Sequence, residues 1–154
     1  MTDLETTPQG TTCLRPRNVL LVEDNPTDIF VITQILKQYA LDEGLQVATD
    51  GAKALELWEL METCDLDAST EESCPGIVLL DLNIPKISGR EILARIRSSD
   101  RFASVPVVVV TSSDSPDDLA TIHALKASAY FRKPTDLFAF MELGTIIARL
   151  LPET

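Results

Sequence analysis

Basic residues are scarce in this 154-residue chain: 13 Lys and Arg stand against 24 Asp and Glu, a formal net charge of −11. They occur singly or in pairs, so no stripe emerges that could neutralise the phosphates of a nucleic acid or the headgroups of an anionic membrane. Cysteine is sparse too. Cys13, Cys64 and Cys74 are an odd number without CxxC spacing, which argues against a zinc site and against a disulfide framework. They read as free cytosolic thiols, although Cys64 and Cys74 are close enough to pair within one loop. The lone His123 falls on a predicted helix with no second ligand at a useful spacing, so it reads as a surface or packing residue. No apolar run approaches the length of a membrane span. Residues 1–12 are polar and carry Pro8 and Gly10 where a signal peptide would have its apolar core. There is no internal repeat. These absences point to one cytoplasmic domain, residues 17–152, behind a flexible tail over residues 1–16.

What is present is a rhythm of short apolar runs and helical stretches. Five β-branched runs, at 19–23, 45–49, 77–81, 105–111 and 129–133, read as strands. The first, third and fourth are nearly all apolar, as strands covered on both faces must be. Helices fill the gaps. Asn25-Pro26 offers an N-cap and a proline at the first helical position, with Ile29, Ile32, Leu36 and Ala40 along one face. Asp50 can cap a helix running through Leu55 and Trp58. Ser88-Gly89-Arg90-Glu91 has the capping-box pattern ahead of Ile92, Leu93 and Ile96. Ser115-Pro116-Asp117-Asp118 starts the fourth helix with an acidic first turn. Thr135 or Asp136 starts the last, with Leu137, Phe140, Met141, Gly144, Ile147 and Leu151 on its buried face. Five βα units predict an α/β fold, a flavodoxin-like doubly wound parallel sheet of strand order 2-1-3-4-5.

That order brings four strand ends to one crevice, where open α/β sheets bind ligands. The first strand delivers Glu23 and Asp24, and the third delivers Asp81. Three crowded carboxylates repel one another unless a cation neutralises them. A hard divalent metal such as Mg²⁺ suits oxygen ligands. The fourth strand ends in Thr111-Ser112-Ser113 and the fifth in Lys133-Pro134. Three acids, a hydroxyl and an ammonium suit phosphoryl transfer to a carboxylate, which needs mainly positioning and charge neutralisation.

These motifs resemble the receiver domain of two-component response regulators. The likeness is carried by Val19-Leu20-Leu21-Val22-Glu23-Asp24-Asn25-Pro26, by Leu79-Leu80-Asp81-Leu82-Asn83-Ile84-Pro85 with Gly89, by Val109-Val110-Thr111-Ser112, and by Lys133-Pro134. It extends over residues 18–151. The resemblance implies that Asp81 is the phosphoacceptor, that Glu23 and Asp24 hold Mg²⁺, and that the Asn83 backbone carbonyl joins the metal shell. It implies that Thr111 turns toward the phosphoryl group, that Lys133 contacts it through a strand end followed by a cis Lys133–Pro134 bond, and that Tyr130 is the switch aromatic. The Lys126-Ala127-Ser128-Ala129 stretch departs from the family pattern, which has Gly or Asn nearby. The long loop before the third strand, Arg101-Phe102-Ala103-Ser104-Val105-Pro106 and Lys133-Pro134-Thr135-Asp136 further resemble the small response regulators paired with bacterial phytochromes.

The resemblance implies a phosphoacceptor switch served by a sensor histidine kinase, possessing no turnover activity beyond its own phosphorylation and dephosphorylation. No output domain is expected after the last helix, so the signal should pass by contact with a downstream protein or phosphotransfer partner. The last helix and the fourth-helix face are candidate homodimer surfaces, because Phe138 and Phe140 cannot both point inward. The 62–76 segment reads as an acidic loop, solvated or contacting a partner: no Lys or Arg falls between Lys53 and Lys86. Other readings compete. A Mg²⁺-dependent aspartyl phosphatase would need a second acid at position 83, where Asn83 stands. A flavin carrier of this fold would need a phosphate cradle where Glu23-Asp24-Asn25-Pro26 repels anions. A degenerate receiver kept as a scaffold would not need the complete site.

Overall fold

The computed structural model describes residues 18–63 and 76–151. The 1–16 tail, Cys13, Cys64, Cys74 and nearly all of the 62–76 segment lie outside the described residues.

Alternation along the central strands builds two cores from one sheet. In β1 (Val19–Val22), β3 (Ile77–Leu80) and β4 (Val107–Thr111) every residue is buried. Successive side chains point to opposite faces. Leu20, Val22, Val78, Leu80, Val107 and Val109 therefore meet Trp58, Ile92, Leu93, Ile96 and Ile122 on one side. Val19, Leu21, Ile77, Leu79, Val108 and Val110 meet Ile32, Ile35, Leu36, Leu143 and Ile147 on the other. Each such side chain contributes about 1.5–3 kcal/mol by leaving water. β2 (Leu45–Ala48) and β5 (Ala129–Arg132) are the half-buried edges of the five-stranded sheet, ordered β2-β1-β3-β4-β5 and parallel throughout. This is the expected flavodoxin-like order.

The helices start where the cap residues predict. Asn25 Oδ1 accepts from the N–H groups of Thr27 and Asp28 to open α1 (Pro26–Gln38). Asp50 Oδ1 accepts from Lys53 N–H at 2.7 Å at the head of α2 (Gly51–Thr63). Ser88 and Ser115 do the same for α3 (Gly89–Arg97) and α4 (Pro116–Ala124). Gly51 has a packing reason: a Cβ there would stand 2.0 Å from the Ile87 carbonyl oxygen.

Two helix expectations need correction. α1 ends before Ala40, which adopts φ 56° past the Tyr39 cap. Leu41 N–H bonds Leu36 O and Ala40 N–H bonds Lys37 O. This is the Schellman closure, and it buries Leu41 in place of Ala40. The last helix is two pieces, α5 (Leu137–Phe140) and α6 (Glu142–Leu150). Three-residue hydrogen bonds, Met141 N–H to Phe138 O and Gly144 N–H to Met141 O, tighten the junction and rotate the face. Phe140, Leu143, Gly144, Ile147 and Leu151 are buried, whereas Leu137 is exposed. Phe138 is 86% exposed, so the two phenylalanines do point opposite ways.

The missing glycine after α4 is answered by Lys126, which takes φ 58° in a second Schellman turn: its N–H bonds His123 O, and Ala127 N–H bonds Ile122 O. A side chain in this left-handed region costs about 1 kcal/mol. Lys126→Gly should raise the unfolding free energy by roughly that amount. Urea denaturation reads it as a higher midpoint at unchanged slope; a lower midpoint would contradict the strain.

Candidate functional site

The parallel register places the strand ends side by side. Val22 pairs with Leu80, so Glu23 and Asp81 leave adjacent strands at the same level. Thr111 pairs with Arg132, and Lys133 N–H continues that ladder to Thr111 O at 2.9 Å. Glu23 is 1% exposed. Its Oε1 accepts from the N–H groups of Asp24 and Asn25 at 3.0 and 3.2 Å. Asp81 is buried, and its Oδ1 accepts from Asn83 N–H at 3.1 Å. Asp24 is exposed beside them.

Lys133 closes the group. Its Nζ lies 2.7 Å from Glu23 Oε2, 2.8 Å from Asp28 Oδ2 and 2.9 Å from Asp81 Oδ2. Burial works against the ammonium charge, but the close carboxylates of Asp28, Glu23 and Asp81 outweigh it and hold the lysine pKa above its ordinary value. Glu23 behaves oppositely. Burial foremost, with Asp81 nearby, pushes its carboxyl up to about 7 despite Lys133. Glu23 Oε2 has that ion pair but no hydrogen bond of good geometry, leaving a buried acceptor only partly satisfied.

These residues fit a divalent cation. Glu23, Asp24 and Asp81 each offer an oxygen, all within 4.8 Å of one another. An Mg²⁺ shell with bonds of about 2.1 Å spans about 4.2 Å, so little adjustment is needed. The exposed Asp24 leaves one side open to the waters that Mg²⁺ keeps. Backbone geometry holds the Asp81 loop in place. Gly89 N–H bonds Leu82 O at 3.0 Å, and a Cβ on Gly89 would lie 2.3 Å from Asp81 O. Lys86 takes φ 77° at the bend of the same loop.

The other expected residues are placed as follows. Thr111 is fully buried, and its Oγ1 accepts from Ser113 N–H at 3.3 Å. Tyr130 is half-buried, and its hydroxyl donates to Ser113 O at 2.7 Å. Asn83 is exposed at the pocket rim. The Lys133–Pro134 bond is trans, which corrects the expected cis form. The trans isomer is the intrinsically favoured one, by about 0.5–1 kcal/mol. With it the ammonium already reaches all three carboxylates.

Two functional neighbours were missed by sequence reasoning. Asp28, in the first turn of α1, reads in sequence as a helix-dipole partner; its contact with Lys133 crosses from one end of the chain to the other. Asp118 likewise reads as a first-turn acid. It is 6% exposed, pairs with the Arg90 guanidinium and accepts from the Ser113 hydroxyl. Those hydrogen bonds, the Ser113 one foremost, hold its carboxyl below the usual range. Asp118 thereby anchors the loop that follows Thr111.

Comparison with known proteins identifies the family and the fold. Residues 19–143 match the family described as "Response regulator receiver domain". Response regulator Rcp1 of Synechocystis sp. strain PCC 6803 is 34% identical over 122 residues, 79% of this chain and 80% of that protein. The Mn²⁺-bound form of Rcp1 superposes with a TM-score of 0.75 at 31% identity, covering 90% of this chain and 97% of the other. The phosphorylated cyanobacterial phytochrome response regulator RcpA gives a TM-score of 0.74 at 30% identity, covering 88% and 94%.

Between pH 4.5 and about 7 the folded, metal-free protein holds a proton on Glu23 that the unfolded chain has lost. This group's contribution to stability is therefore full below about pH 4.5 and is lost as pH rises through about 7. Binding Mg²⁺ needs the carboxylate. Mg²⁺ uptake at pH 6.5 should release a proton, and the release should vanish by about pH 8.5 as Glu23 ionises unaided. Calorimetry in buffers of different ionisation enthalpy measures it, and Glu23→Gln should abolish it.

Proposed function

The chain belongs to the response regulator receiver domain family, and from that premise we propose that Asp81 accepts a phosphoryl group from a phosphohistidine on a sensor histidine kinase. The observation that carries this reading is the Lys133 ammonium 2.9 Å from Asp81 Oδ2, inside a pocket walled by further carboxylates. An Asp81 oxygen attacks phosphorus as the nitrogen–phosphorus bond of the donor breaks. The electron pair stays on the imidazole nitrogen, which takes a proton from solvent. Lys133 meets the incoming phosphoryl oxygens with positive charge, and the Thr111 hydroxyl donates to one of them after leaving the Ser113 N–H. Glu23, Asp24, Asp81 and the Asn83 carbonyl would hold Mg²⁺. When bound, that ion offsets charge on the group being transferred.

Phosphorylation adds about −1.5 to −2 charge near pH 7. Because Tyr130 is hydrogen-bonded to Ser113, whose N–H bonds Thr111 Oγ1, a shift of Thr111 would reach the phenol through Ser113. The surface around α4 and β5 would change with it, a two-state element biased by local charge. The similarity to RcpA, a phytochrome response regulator, supports a phytochrome as the upstream kinase. The net charge of −11 supports readout by protein contact, through a downstream protein, a phosphotransfer partner or a second copy, instead of by nucleic acid. No helix among the described residues is long and apolar enough to cross a membrane, which is compatible with a cytoplasmic switch. The unit proposed to act is residues 17–152.

Asp81→Asn should abolish transfer of radiolabelled phosphate from a phosphorylated kinase; labelling at the normal rate would place the acceptor elsewhere. A phosphatase reading predicts turnover of aryl phosphates. Asn83 cannot titrate, and the expected turnover is none.

A further inference from the structure

Asp28 is the one acid of the pocket that neither the metal shell nor the phosphoacceptor role uses. Lys133 hydrogen-bonds Asp28 Oδ2 and Asp81 Oδ2 at 2.8 and 2.9 Å and ion-pairs with Glu23 Oε2 at 2.7 Å. Three carboxylates crowd the one ammonium, so phosphoryl oxygens arriving on Asp81 compete with them for it. Of the two partners other than Asp81, Glu23 is the harder one for water to reach, because its side chain is 1% exposed. Asp28 differs on two counts. Its side chain is 20% exposed, so water can replace the lysine. It also sits in the first turn of α1, where the helix N-terminus favours its charge.

We propose that Asp28 is a positioning residue that holds Lys133 toward α1 while Asp81 is free, and is the partner Lys133 releases when a phosphoryl group arrives. The inference rests on the phosphoacceptor reading of Asp81. It makes Asp28 a competitor of the phosphoryl group for one ammonium. It also makes phosphorylation an event felt in the first turn of α1, two residues before the exposed Phe30.

The test is binding of beryllium trifluoride, a phosphoryl mimic, to the full chain with saturating Mg²⁺, followed by NMR. Asp28→Asn keeps the shape and removes the competing charge. It should bind the mimic about tenfold more tightly, the scale of one charge-assisted hydrogen bond. Damage to the fold would weaken binding, so a gain cannot come from it. Asp28→Glu restores the carboxylate and should return affinity toward that of the wild type. The gain should persist in 1 M NaCl, where a Debye length of about 3 Å suppresses a through-space effect of a part-exposed charge. Unchanged or weaker binding by Asp28→Asn, or a gain lost in salt, would overturn the role of Asp28 and leave Asp81 as acceptor. A wild-type protein that neither binds the mimic nor gains an acyl phosphate on Asp81 would overturn both.

Discussion

One ammonium shared by three carboxylates is the constraint on which the site depends. Two unit charges about 4 Å apart interact by about 4 kcal/mol at an effective dielectric of about 20. Lys133, 2.7–2.9 Å from each of Glu23, Asp28 and Asp81, offsets the repulsion among them. The lysine in turn could not lie at the buried end of β5 without them. This mutual dependence explains why the groups come from distant parts of the chain. Only a sheet that aligns the ends of β1, β3 and β5 brings them together, and the apolar sequence of the central strands makes that sheet.

The same arrangement leaves the pocket underneutralised. Four carboxylates, counting Asp24, face a single ammonium. The protonation of Glu23 near neutral pH is one response to that surplus, and a divalent cation is the other. A pocket balanced in this way changes state when one charge is added. A second polar cluster holds the loop after Thr111, where Arg90, Asp118, Ser113 and Tyr130 are linked in turn by ion pair and hydrogen bonds. Thr111 therefore stands between a charged pocket and an anchored loop.

Most of the architecture was legible because its signals are local. Apolar β-branched runs, Asn25, Ser88 and Ser115 as caps, and acids at strand ends each carry their meaning within a few residues. The details that escaped depend on tertiary partners. Asp28 and Asp118 each had a sufficient local explanation as first-turn acids, which hid Lys133 and Arg90 as their partners. Ala40 and Lys126 accept left-handed backbone because Leu41 and Ala127 must turn back toward the sheet, and no rule about glycine anticipates that. The break at Met141 follows from packing α6 against α1, where a Cβ on Gly144 would meet the Tyr39 ring at 2.5 Å. The trans bond before Pro134 is likewise invisible in a dipeptide.

The rung joining Lys133 N–H to Thr111 O fixes how far apart the hydroxyl and the ammonium begin. Their separation is set by the ladder between β4 and β5 and owes little to the length of chain that links them. Beyond its Ser113 and Asp118 anchor, the crossover between those strands is thereby freed from the chemistry. It can drift, lengthen or acquire a new partner's footprint over evolutionary time while the two reactive groups stay opposite each other. In this protein the vocabulary of recognition and the grammar of phosphoryl transfer are written on different parts of the same βα unit.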